Sequence, residues 1–191
     1  MWYRAFIVSV VSFIALLGAP VSAQENPTVV METSLGSITI ELLESGAPIS
    51  VENFLAYVND GFYEGTVFHR VIQQFMIQGG GMLPNLSPKP TRPPIENEAR
   101  TGVTNARGTL AMARTNIVDS ATSQFFINTV DNARSLDHRG LEAADYGYTV
   151  FGRVTEGMDV VDAIAAVENT PQGTHENVPV DTIIINSIKV Q

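Results

Sequence analysis

The residues best suited to chemistry fall in one short stretch, residues 68–80, FHRVIQQFMIQGG. It holds one guanidinium (Arg70), one thioether (Met76), an amide (Gln78) and the rings of Phe68 and Phe75. Two apolar runs, 67–72 and 75–77, are joined by Gln73-Gln74, and both have the length and the β-branched or aromatic content of strands. A lone arginine in such a strand is costly unless it has a partner or a task. This set is poorly equipped for nucleophilic or acid–base work. It could bind an apolar group and polarise it.

Other chemistries find little support. The chain has no cysteine, so it has no disulfide, thiolate nucleophile or thiolate metal site. Its three histidines, 69, 138 and 175, are not spaced as metal ligands. No G-x-S-x-G elbow is present. The glycines at 79–81 are not followed by the Gly-Lys-Ser/Thr of a phosphate loop. His69 is next to Arg70, so a regular strand would turn it to the opposite face, as a hydrogen-bonded structural residue. Asn85-Leu86-Ser87 is a single sequon match of little weight. Phe125, Phe126, Leu136 and Tyr148 read first as core residues.

The elements that must hold these groups are mostly strands. Residues 28–33 and 37–43 read as a hairpin, with Ile38, Ile40 and Leu42 alternating with polar neighbours. Pro48-Ile49-Ser50 opens a helix, with Ser50 as the expected cap and Val51, Phe54, Leu55 and Val58 on one stripe. Residues 82–107 carry five prolines and read as a long loop. Further strands are expected at 108–114, 124–129, 148–154 and 182–190. Polar loops separate them at 115–123 and 131–147, and another fills 168–178. A second helix spans 157–167, with Val160, Ile164 and Val167 on its buried face. The strands do not alternate regularly with helices, which disfavours a parallel sheet. A mainly β fold, an eight-stranded antiparallel closed barrel capped by two helices, suits this order.

The 191 residues suit one domain. The net charge of −9 argues against nucleic acid or an anionic membrane as partner. Residues 1–23 read as a secretory signal: Arg4, an apolar run over 5–17, the breakers Gly18 and Pro20, then Val21-Ser22-Ala23. Cleavage leaves a domain at 24–191 and takes the net charge to −10, because Arg4 is lost and no acid. A cysteine-free domain suits an oxidising compartment.

Five motifs in order, FHRVIQQFMIQGG, GTLAMAR, SATSQFFINT, LDH and YTVFGRV, resemble those of the cyclophilins, the peptidyl-prolyl cis–trans isomerases. PPIENEA and DYGYTVFG are similar to the bacterial periplasmic branch. The resemblance covers residue 28 to the C-terminus. It implies isomerisation of Xaa–Pro bonds during folding of secreted or periplasmic proteins, with no cofactor and no metal. It also implies a monomer that meets no membrane once the signal is removed, with proline-containing polypeptides as substrates. Arg70, Phe75 and Gln78 take the catalytic positions. Phe75 also belongs, with Met76, Phe126, Leu136 and Tyr148, to the positions that correspond to the proline pocket. Gln124 joins Gln78 in a polar wall. Met112, Ala113, Arg114 and Thr115 correspond to the strand edge along the substrate backbone.

Three positions depart from the commonest pattern. Tyr148 replaces a histidine, Ser135 a tryptophan and Arg114 an asparagine. The tryptophan is associated with cyclosporin binding, so weak cyclosporin binding is expected. Arg114 is expected to matter through its backbone. Two non-isomerase alternatives are a proline-recognising binding module on the same fold and an apolar-ligand carrier. The intact Arg70 weighs against the first, and the large side chains available to fill a small barrel weigh against the second.

Overall fold

A computed structural model describes residues 26–191. The expected signal sequence, 1–23, lies outside the described residues. Eight strands close an antiparallel barrel: β1 (Thr28–Thr33), β2 (Gly36–Leu42), β3 (Thr66–Ile72), β4 (Met76–Gly79), β5 (Thr109–Met112), β6 (Phe125–Asn128), β7 (Val150–Glu156) and β10 (Ile184–Val190). Their order round the barrel is β1, β10, β3, β4, β6, β5, β7, β2, and β2 pairs back onto β1.

Alternation along each strand builds two separate apolar clusters. Leu110 and Met112, Phe125 and Ile127, Ile77, and Phe151 point into the barrel. Their neighbours Ala111, Phe126, Met76 and Val150 join a second cluster with Leu136. The period of two thus makes one face of β4–β6–β5–β7 core and leaves the other free to form a site.

Two helices pack on the barrel. Helix α1 (Pro48–Asn59) places Phe54 between Tyr63 and Phe151, both 5.2 Å away by ring centroid, with Phe125 at 5.8 Å. Helix α3 (Met158–Ala165) buries Val161 and Ile164. Val160 and Val167, expected on that face, pack at its edge.

The expected cap of α1 needs correction. Pro48 occupies the first turn, as its fixed φ and missing N–H favour, so Ser50 lies inside the helix. The free N–H groups of Ile49 and Ser50 instead donate to the two carboxylate oxygens of Glu98, at 3.0 and 2.8 Å. Ser50 Oγ donates to Glu98 at 2.7 Å. A carboxylate also suits the positive end of the helix dipole. The proline-rich segment before Glu98 is accordingly fastened: Ile95 N donates to Ala121 O and Arg92 N to the Tyr57 hydroxyl.

Three elements stand where loops were expected. A single 3-10 turn, Ala99–Thr101, lies within 82–107. A short helix, α2 (Ala133–Leu136), interrupts 131–147. A two-stranded hairpin, β8 (Asn169–Gln172) and β9 (His175–Pro179), occupies 168–178. Most of the hairpin is solvent-exposed, so it carries no apolar alternation to announce it. Asn169 Nδ2 donates to Val71 O at 3.1 Å and fastens it to β3.

Replacing Glu98 with alanine removes three bonds at the start of α1. The expected cost is about 1–2 kcal/mol, within the range of a lost cap. It should show as a lower urea midpoint with an unchanged m value.

Candidate functional site

The site begins with a break in the alternation of β3. Phe68 pairs with Gly79 and Arg70 with Gln78, which leaves His69 as the extra residue of a bulge. Phe68 and Val71 both point into the barrel core. His69 and Arg70 between them therefore both face outwards and line a common pocket. The expectation of opposite faces is corrected here: it held for a regular strand only.

Arg70 is then held from the side. Its Nη1 donates to Gln78 Oε1 at 3.2 Å, and Gln78 Nε2 donates to Gln124 Oε1 at 2.9 Å. Gln124 in turn lies flat on the backbone at Gly81. A Cβ there would sit 2.3 Å from Gln124 Cγ, so the third glycine of the run makes room for the end of this chain.

Beside Arg70 is a cleft of about 90 Å³, lined by Phe75, Met76, Gln78, Ala113, Arg114, Phe126, Leu136 and Tyr148 as well as Arg70 itself. Met76, Phe126 and Leu136 are buried members of the outer cluster; Phe75, Ala113 and Tyr148 are half-buried at its edge. Phe126 and Tyr148 meet edge to face at 5.6 Å.

Polar residues behind the cleft fix its walls. Asn132 Nδ2 donates to Phe75 O and to Asn128 Oδ1, both at 2.8 Å. Asn128 Nδ2 donates to Asn105 Oδ1, and Asn105 Nδ2 to Tyr148 O. Leu136 N donates to Asn132 O, and Tyr148 N to Leu136 O. Three buried asparagines thus hold the backbone of Phe75, Leu136 and Tyr148. Sequence reasoning missed them because amides carry no periodic signal.

It also undervalued the side chain of Arg114. Its guanidinium donates to the carbonyls of Gly147 (3.0 Å), Thr115 (3.0 Å) and Ala143 (2.7 Å) and lies 4.7 Å from the Tyr148 ring centre. Arg114 therefore ties two loops to the cleft. Gly147 has φ +83°, and a Cβ there would lie 2.6 Å from His138 N, so the loop turns where only glycine fits.

Nine of the expected site residues meet at this cleft. Thr115 and Gln124 line an adjoining hollow with Gln78, Ala113 and Arg114. Met112 turns its side chain into the barrel core, and its N–H is taken by Thr149 O. Ser135 is exposed and donates to Asn132 O. Among the described residues, no group of three or more His, Asp or Glu could hold a metal ion. The cleft offers one cation, an amide and apolar walls.

His69 is 5% exposed, covered by the hairpin. Burial pushes its imidazole down to about 4; the Val67 carbonyl opposes this, and the nearby His175 and Arg70 add to it.

A family model described as "Cyclophilin type peptidyl-prolyl cis-trans isomerase/CLD" matches residues 28–190. The chain is 49% identical over 186 residues to "Peptidyl-prolyl cis-trans isomerase A" of Dickeya dadantii, covering 97% of this chain and 95% of that one. It is 52% identical over 180 residues to the "Peptidyl-prolyl cis-trans isomerase" of Acinetobacter baylyi, covering 93% and 94%. A crystal structure of a cyclophilin-type isomerase of Cryptosporidium parvum in the presence of the dipeptide Ala-Pro superposes with a TM-score of 0.70, at 28% identity, over 86% of this chain and 98% of that one.

The depressed His69 sets a pH dependence. The folded chain binds fewer protons than the unfolded chain between pH 4 and 6.5. The contribution is therefore complete above pH 6.5 and is lost as pH falls towards 4, to a total of about 3 kcal/mol. Denaturant titrations should show stability falling over this window. In His69→Gln the slope above pH 4.5 should flatten, whatever the baseline stability of that variant.

Proposed function

The chain belongs to the cyclophilin-type peptidyl-prolyl cis–trans isomerases and is such an isomerase, and from that premise we propose that Arg70 is the group that lowers the rotation barrier. The observation that carries this is the placement of Arg70 by Gln78 at the wall of an apolar cleft of about 90 Å³.

The barrier to rotation about a peptide bond is roughly 18–20 kcal/mol, and uncatalysed Xaa–Pro exchange takes ~10–100 s. It exists because the nitrogen lone pair is delocalised into the carbonyl. In the twisted state that pair returns to the prolyl nitrogen, which becomes a hydrogen-bond acceptor. Proline has no N–H there, so a cationic donor can approach. Arg70 donates to that nitrogen and favours the twisted state over both planar ones. The step needs no covalent bond, cofactor or metal.

One such bond is not sufficient. Raising a rate from about 10⁻² to about 10³ s⁻¹ requires roughly 7 kcal/mol, and a charged hydrogen bond contributes ~1.5–3 kcal/mol. The remainder falls to the cleft. Phe126, Met76, Leu136 and Phe75 hold the ring while the acyl side turns, and they exclude water so that the field of Arg70 is weakly screened. Gln78 fixes the guanidinium, and the edge at Ala113 and Arg114 steadies the flanking backbone.

Proline-containing polypeptides are the substrates, and the Ala-Pro dipeptide used with the Cryptosporidium protein fits this class. The signal-like residues 1–23 support export and a role in folding of periplasmic proteins. The domain works as a monomer from residue 24. Ser135, exposed and lacking an indole, supports weak cyclosporin binding.

The experiment compares cis-to-trans rates of a short Xaa–Pro peptide with wild type and Arg70→Ala. The expected loss is at least roughly 10- to 150-fold in kcat/KM, the worth of one charged hydrogen bond. Equal activity in a folded variant contradicts the role of Arg70. No acceleration by folded wild type leaves a proline-binding module.

A further inference from the structure

A second pocket, of about 370 Å³, opens on the other flank of Arg70. Arg70 and Gln78 line both it and the cleft. Its outer wall is the tip of the β8–β9 hairpin, with His175 and Glu176. The strands run β3, β4, β6, β5 round the barrel. This pocket is therefore on the β3 side of the Gln78–Gln124 pair, and the hollow by Ala113–Thr115 is on the β5 side.

We propose that the pocket beneath the hairpin tip is a substrate subsite: it receives a side chain of the same polypeptide, on the flank of the proline away from the 113–115 edge, and it selects an uncharged hydrogen-bonding side chain such as Gln, Asn or Thr. This rests on the isomerase reading of the neighbouring cleft.

Neither sign of charge gains: an acidic side chain is attracted by Arg70 but repelled by Glu176, a basic one the reverse, and either must give up its hydration to enter. Solvation decides against an apolar side chain. It would displace water from Gln78, Gln124 and His175 and return no hydrogen bond. The inner wall is polar as well. His69 Nδ1 is buried and has no hydrogen-bond partner among the described residues, and His69 lines this pocket. An amide or hydroxyl supplies both donors and acceptors to such a wall.

The hairpin is built to present these groups. Val178 and Pro179 at its base are buried, and Asn169 fastens it to β3. Residues 171–174 and Glu176 are exposed, and His175 is half-exposed. The tip therefore contributes little to the core and stands beside Arg70 as a wall.

The test uses peptides around a single proline, varied one position at a time on each side with Gln, Leu, Glu or Lys. A truncated peptide too short to reach the pocket serves as reference. The readout is kcat/KM for cis-to-trans isomerisation, relative to the truncated peptide. Wild type should favour Gln over the other three by roughly 3- to 10-fold, at one position on one side only, mainly through KM. Glu176→Lys should raise the glutamate peptide relative to the glutamine peptide by a similar factor, and Glu176→Gln should raise it less. Equal values for all four side chains at every position overturn the subsite, as does a preference unchanged by Glu176→Lys. Failure to accelerate even the truncated peptide overturns the isomerase reading itself.

Discussion

The bulge at His69 is the constraint on which the site depends. Strand parity sorts every side chain of the barrel inwards or outwards, and the phenylalanines and isoleucines of the core obey it. Counted regularly from Phe68, Arg70 would point into that core, where an unpaired charge is prohibitively costly. One extra residue moves Arg70 to the outer face and returns Val71 to the inner one. The core keeps its packing and the cation gains a partly solvated place.

That place would mean little without restraint. A guanidinium at the end of a flexible side chain loses much of any interaction to entropy. Here the chain from Arg70 through Gln78 to Gln124 fixes it, and the absence of a side chain at Gly81 lets Gln124 take its position. The asparagines behind Phe75 and Tyr148 do the same for the apolar side of the cleft. The site is thus a rigid juxtaposition of one cation and an apolar wall, and each half is held in place by amides. Arg114 belongs to this supporting set through its side chain, which binds three carbonyls of the surrounding loops.

Much of this was legible in the sequence because alternation is a local property. Ile38, Ile40 and Leu42 announce their strand and its buried face, and the length and β-branched or aromatic content of the other apolar runs mark the remaining barrel strands. What escaped depends on partners distant in sequence. The bulge is a property of the β3–β4 pair, although the run of Val67, Phe68, Val71 and Ile72 fails to alternate and was a signal. The cap of α1 is supplied by Glu98, 48 residues from Ser50. The β8–β9 hairpin is mostly exposed, so nothing in its hydropathy distinguishes it from a loop.

The central claim is that Arg70 acts on the twisted amide and hardly on either planar isomer. The most direct test is exchange-resolved NMR of an Xaa–Pro peptide bound to wild type and to Arg70→Lys, which separates the rate of rotation on the protein from the affinity for each isomer. Lysine keeps the charge but loses the planar fork. The account predicts a markedly slower bound-state rotation with both affinities nearly unchanged. Weaker binding of both isomers with an unaltered rotation rate would contradict it and reduce Arg70 to a binding residue.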